Sequence, residues 1–287
     1  MSAQRKQGIF QGLSAFPTFE FQNRQNAGDR KVIVGHDGVV EIDEATRTVV
    51  KTYRDPRPEV AFEKAEREVD YAARFVAAVS DLPGLAGTEI LEYDFSPPPR
   101  VLMQLCPGKP VLDFLRNVRA DDPEVADIAD KIHDCIEIYV ETFPGIQHSF
   151  KLENMLYDNA SGVLSLIDFA GDEELGDMHR DHPIDAQLGH LIGCACYELA
   201  RPANLRLRKA AYLKLLRMVL ASFAGRLSNA RIRDSASVCF LRAGRLGRTV
   251  RGVYYATFGT VLVERMLKDL GLSSATFSYD SASANRS

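Results

Sequence analysis

Three sets of side chains in this chain are of a type and spacing that could do chemistry. One is Lys51, in the β-rich run VVKTY, with Glu66 and Glu68 following on a helical stretch. A lysine there can be a solvated edge residue, and the glutamates can be plain helix charges, or a cation and a carboxylate can pair across the strand and the helix. The second set is Asn154 and Asp168, which stand at the two ends of a hairpin pattern, NMLYD, a turn and VLSLIDF. A hairpin returns the chain on itself, so it brings this amide and this carboxylate to one point. The third is the cysteines, Cys106, Cys135, Cys194, Cys196 and Cys239. They show no CxxC or Cys/His spacing and sit mostly in apolar helical contexts, so free thiols in a reducing compartment are expected rather than disulfides or zinc.

The elements that must position these residues can be read from patterning. KVIVGHDGVVEID reads as strand, glycine turn and strand, and TRTVVKTYR as a third β-rich run. Glu59 to Val79 carries Ala61, Ala65, Val69, Ala72 and Val76 at helical spacing, and Gly84 and Gly87 end that region. TEILEYDF and RVLMQLC are two more short strands around the Pro97–Pro98–Pro99 loop. After Pro107–Gly108 the texture changes to a short helix over Val111–Val118 and a longer one over Pro123–Phe143. The hairpin follows, and the chain then reads as helical from Asp181 to about Asp269, with breaks near Pro202, Gly225 and Gly244. The fold class expected is α+β, with a small β-rich N-lobe and a larger helical C-lobe. The divisions are an arm over 1–30, an N-lobe over 31–106, a C-lobe over 107–272 and a flexible tail over 273–287.

Composition is that of a globular chain, with 46% hydrophobic and 26% charged residues. No run approaches the roughly 18 apolar residues of a membrane helix, so no transmembrane segment is expected. The start, MSAQRKQGIFQGLSAF, lacks a basic stretch followed by an apolar one. No signal peptide is expected, and the location implied is the cytoplasm or delivery into a host cytosol. The net charge of −4 is uneven, because residues 201–270 hold fifteen Lys and Arg against three acidic residues. That segment can face an anionic partner, although solvated helix faces are the plainer account. Tyr254 and Tyr255 are too few for a nucleic-acid stacking surface.

Over residues 31–220 these motifs, in this order, resemble the protein-kinase-like superfamily, nearer its atypical and small-molecule members or a pseudokinase than a regulated protein kinase. The resemblance implies a two-lobed protein-kinase-like fold that binds ATP and Mg²⁺. Lys51 falls where the family keeps its phosphate-binding lysine, and Glu68 where a helix glutamate pairs with it, with Glu66 as the alternative. Gly35 and Gly38 stand in place of the glycine-rich loop, although GxGxxG is not satisfied and a hairpin turn explains them equally well. Met103 corresponds to the gatekeeper, and Gln104 to Cys106 to the hinge whose backbone meets an adenine edge. KLEN, Lys151 to Asn154, matches the end of the catalytic loop, and Ile167 to Ala170 matches DFG with Ala170 for Gly. Asn154 and Asp168 are then the Mg²⁺ ligands. Asp185 resembles the aspartate that caps catalytic-loop amides, and is otherwise a simple helix cap.

The departure is at Ser149. Aligning KLEN puts Gln147, His148 and Ser149 where His, Arg and Asp belong, so Ser149 occupies the position of the catalytic aspartate. A one-residue shift only places Phe150 there. A serine is no effective base at neutral pH, and a general base contributes roughly 10²- to 10⁴-fold. Phosphoryl transfer leans mainly on positioning and electrostatics, so this loss weakens catalysis without excluding it. Glu153 and His148 are nearby candidates to substitute. Three functions stay open: an ATP-dependent phosphotransferase with Ser149, Lys151 and Asp168 at its centre and a protein or small molecule as acceptor; a pseudokinase that binds nucleotide as an interaction module; and a kinase fold that moves a nucleotidyl group.

Overall fold

A computed structural model of the protein describes residues 30–34, 38–176, 180–200, 209–245, 261 and 264–272. Residues 1–29 of the arm, the tail, Gly35, and 201–208, 246–260 and 262–263 of the basic segment lie outside the described residues, and Arg30, assigned to the arm, instead begins the first strand.

The alternating runs of the first lobe form one five-stranded antiparallel sheet. Its strands are β1 (Arg30–Val34), β2 (Gly38–Asp43), β3 (Thr48–Tyr53), β5 (Ile90–Asp94) and β6 (Arg100–Gln104), ordered β1-β2-β3-β6-β5. In the register of β3 with β6, Lys51 faces Val101 and Val49 faces Met103. Side chains on a strand alternate between faces, so Lys51 and Tyr53 share one face, the face covered by a helix.

That helix is α1 (Pro58–Val79), which starts on a proline in its first turn, where a missing N–H costs nothing. It buries Ala61, Ala65, Val69, Ala72, Phe75 and Val79, a stripe at helical spacing, and places Glu68 inside that stripe. Burial of a large side chain such as Phe75 stabilises the contact by about 1.5–3 kcal/mol. The small alanines let the helix lie close to the sheet.

The second lobe is helical around a small sheet. Its helices are α2 (Val111–Leu115), α3 (Pro123–Thr142), α4 (Pro183–Ala200), α5 (Lys209–Ser222) and α6 (Asn229–Arg245). The expected hairpin is present as β9 (Met155–Asp158) paired with β10 (Val163–Leu166). Leu85–Gly87, read from sequence only as a glycine-marked break, is instead a strand, β4, parallel to β10. Backbone pairing thus ties the stretch after α1 to the hairpin of the second lobe. The same sheet takes in β7 (Lys109–Pro110), and a separate two-stranded sheet pairs β8 (Ile146–Gln147) with β11 (Glu173–Glu174). One large core joins α1, α3, the hairpin, α4 and α5 through Phe75, Ile128, Ile132, Leu164, Leu191 and Leu215. Among the described residues no helix is long and apolar enough to cross a membrane. The architecture is α+β, with an antiparallel-sheet first lobe and a helical second lobe, in the element order expected of a two-lobed kinase-like fold.

Candidate functional site

Between the sheet and the helical lobe lies a cleft of about 800 Å³. Val40, Val49, Met103, Leu156 and Ile167 give it apolar walls, and Lys51, Glu68, Asn154 and Asp168 line it with polar groups. Gly38 is at its rim; a Cβ there would sit 2.0 Å from the Thr52 carbonyl, so only glycine lets the two strands approach this closely.

Glu68 is the hub. It is 1% exposed, and Lys51 Nζ donates to its Oε2 at 2.8 Å. Tyr53 donates its hydroxyl to the same oxygen at 2.9 Å. The backbone amides of Phe169 and Ala170 donate to the two carboxylate oxygens at 3.2 Å each. A single carboxylate on α1 therefore holds the strand lysine and also pins the turn that follows Asp168. Glu68, not Glu66, is the partner of Lys51, because Glu68 lies on the buried stripe of α1.

Asp168 has φ 68° and ψ 62°, a left-handed conformation that aspartate tolerates better than most residues. The single 3₁₀ turn Phe169–Gly171 follows, with Phe169 buried against Phe75 and His148 at centroid distances of 5.6 and 5.1 Å. One oxygen of Asp168 bonds to Lys51 Nζ, and the other lies 3.5 Å from Asn154 Nδ2. The Lys51 ammonium holds the Asp168 carboxyl below its ordinary value, with burial working in the opposite direction. Burial alone would lower the pKa of Lys51, but the Glu68 and Asp168 carboxylates raise it, so the lysine keeps its charge.

A sign follows for pH. A carboxyl whose folded pKa is depressed adds stability that is full above its unfolded value, about 4, and is lost as pH falls through the lower folded value. Asp168→Asn mimics the protonated form. It is expected to lower the urea midpoint relative to wild type at pH 7, with the difference closing as pH falls below about 4. A gap that stays constant through that range would show that the Lys51 pairing is not its source.

The loop before the hairpin is held from behind. Asn154 Nδ2 donates to the Ser149 carbonyl at 3.1 Å, and Ile167 N–H donates to the Asn154 carbonyl at 3.0 Å. His148 is fully buried, with Nδ1 2.7 Å from Asp172 Oδ1. Asp172 also accepts the Tyr139 hydroxyl at 2.6 Å and the Ser149 amide at 3.4 Å. The His148 amide donates to Gln187 Oε1 at 3.1 Å. Asp185 does not take the place expected for it. Its Oδ1 accepts the Ser228 amide at 3.2 Å, tying α4 to the start of α6, while Asp172 and Gln187 accept the loop amides instead. Position decides this: Gln187 lies two residues further along α4 and reaches Ile146 and His148 together.

Ser149 is buried in this loop and Lys151 is partly exposed beside it, and neither is among the residues lining the cleft, whereas Glu153 is. At the hinge, the Gln104 and Leu105 amides donate to the Glu89 and Arg47 carbonyls at 2.9 Å each. Among the described residues the Cys106 amide has no backbone partner, and Cys106 lines the cleft. Sequence reading missed Asp172, Gln187, Tyr53 and Tyr139. Only Tyr53 carried a signal, its two-residue spacing from Lys51 on one strand.

No protein-family model matches the chain. No curated protein matches it either. Among solved structures the chain is similar to the Cydia pomonella granulovirus kinase PK-1, with 13% identity and a TM-score of 0.36, over 52% of this chain and 53% of that one. The chain thus spans about half the length of that structure.

Proposed function

We propose that the cleft binds ATP with Mg²⁺ and that the protein is a phosphotransferase of the atypical kinase type, acting on a protein or small-molecule acceptor. The observation that carries this reading is the meeting of Lys51, Glu68, Asn154 and Asp168 in one cleft with apolar walls. Each group has a use there. The walls accept a flat base, and the Cys106 amide offers a donor to its edge. Lys51, held charged by Glu68, pairs with phosphate oxygens, and backbone at Gly38 can approach them closely. Asn154 and Asp168 both line the cleft and carry oxygen donors of the kind a hard cation takes, and the Asp168 side chain is 41% exposed. Mg²⁺ held there would neutralise the phosphates and orient them.

Ser149 favours a second reading, a pseudokinase that binds nucleotide as an interaction module. Aligned on KLEN it takes the base position with no carboxylate, and it is buried and not among the residues that line the cleft. One assay with ATP labelled at either the γ or the α phosphate separates the readings. Slow transfer of γ label, with none retained from the α position, is the expected result. Retention of α label would show nucleotidyl transfer. No label from either position, with ATP binding demonstrated and a broad set of acceptors supplied, would leave the module reading and end the enzyme one.

A further inference from the structure

A second cluster of ligating side chains lies away from the cleft, where α4 crosses α6. The two helices touch backbone to backbone. A Cβ on Gly189 would lie 2.3 Å from Ser235 Cβ, and one on Gly193 would lie 2.5 Å from the Ala236 carbonyl oxygen and 2.7 Å from Cys239 Cβ. Only glycine at these positions permits the crossing. Its consequence is that Cys194, next to Gly193, meets Cys239 with their sulfurs 3.4 Å apart. His190 lies one turn before Cys194 on the same helix, so the two share a face. One ligand atom from each of His190, Cys194 and Cys239 lies within 4.8 Å of the others. The His190 Nε2 atom is buried and has no hydrogen-bond partner among the described residues.

We propose that His190, Cys194 and Cys239 form a binding site for one thiophilic d¹⁰ cation, Zn²⁺, that clamps α4 to α6. Two thiolates and an imidazole are the borderline-soft donors that zinc selects. Thiolates about 2.3 Å from a tetrahedral zinc stand roughly 3.8 Å apart, so the observed sulfur separation needs a shift of only a few tenths of an ångström. A disulfide would use the two sulfurs alone, whereas a metal takes up one ligand atom from each of the three residues. A tetrahedral zinc on three protein ligands would take its fourth ligand from water. The site is separate from the proposed Mg²⁺ ligands, which are oxygens, and does not depend on the kinase reading. It has a structural link to the loop, because Gln187 and Ala186 of α4 bond His148 and Gln147.

The test uses the full chain, reduced and stripped with a chelator. Zinc titrated against a chromogenic chelator is expected to bind at one equivalent per chain, and Co²⁺ is expected to give a thiolate charge-transfer band. Cys239→Ser and His190→Gln should each weaken zinc binding at least tenfold, while Cys106→Ser should not. A readout without any substitution guards against misfolded variants: zinc should slow alkylation of Cys194 and Cys239, mapped by mass spectrometry, and leave Cys106 unchanged. Sub-stoichiometric zinc on the wild type, or equal alkylation of Cys194 and Cys239 with and without zinc, would overturn the site. So would a reduced protein that binds no zinc but closes a Cys194–Cys239 disulfide on treatment with hydrogen peroxide.

Discussion

Glu68→Ala is expected to cost about 3–5 kcal/mol of folding stability, the range for breaking a buried ion pair from one side. The carboxylate is 1% exposed and accepts four hydrogen bonds, from Lys51, Tyr53, Phe169 and Ala170. Its removal strands a buried hydroxyl and two buried amides, each unmade bond costing about 1–3 kcal/mol before relaxation. Lys51 keeps Asp168 as a partner, which is why the sum is not larger. Domains of this kind have only about 5–15 kcal/mol in hand, so the variant should sit near the edge of folding. Lys51→Met should be milder, because it leaves Glu68 with Tyr53 and both amides. Urea midpoints for the two single variants and the double variant close the cycle. A loss under about 1 kcal/mol for Glu68→Ala, less than a single buried hydrogen bond left unmade, would mean that Glu68 is not the hub of this network.

How far the sequence carried can be seen from the residues of that hub. Glu68 over Glu66 was legible, because Ala65, Val69 and Ala72 at helical spacing put Glu68 on the inward stripe. The hairpin, and with it the approach of Asn154 and Asp168, was legible because a tight return is a local event with local signals. Gln187 and Asp172 were not. Their partners, the loop amides, are fixed by how α4 and the chain after Asp168 pack behind the loop, and no spacing encodes that. The strand Leu85–Gly87 was missed for a related reason, since three residues carry no period and the partner strand is β10, far along the chain. Cys194 and Cys239 showed no metal spacing, being on different helices. The available signal was Gly189 and Gly193 at a four-residue interval, which allows the close crossing that brings the sulfurs together.

The sharpest test of the cleft itself is Asp168→Asn, measured as the Mg²⁺ dependence of stabilisation by ATP. Wild-type protein at ATP about 100 times its dissociation constant should gain roughly 2.7 kcal/mol, and EDTA should remove most of the gain. In Asp168→Asn the difference between Mg²⁺ and EDTA is expected to vanish, with any metal-independent part retained through Lys51 and the apolar walls. Asparagine is the right substitute because Asp168 sits at φ 68°, a conformation asparagine also tolerates, so the turn need not move. Alanine there would add backbone strain of about 1–2 kcal/mol and blur the result. Asparagine also removes the charge that Lys51 balances, so the variant's own baseline must be measured before ligand is added. Asn154→Ala is a poorer probe, since it also deletes the bond to the Ser149 carbonyl. A shift of equal size with EDTA in the wild type would sink the metal assignment, and no shift at millimolar ATP would sink the nucleotide site. Equal Mg²⁺ dependence in wild type and Asp168→Asn would place the metal on other ligands, and the pairing of Asp168 with Lys51 would then be structural alone.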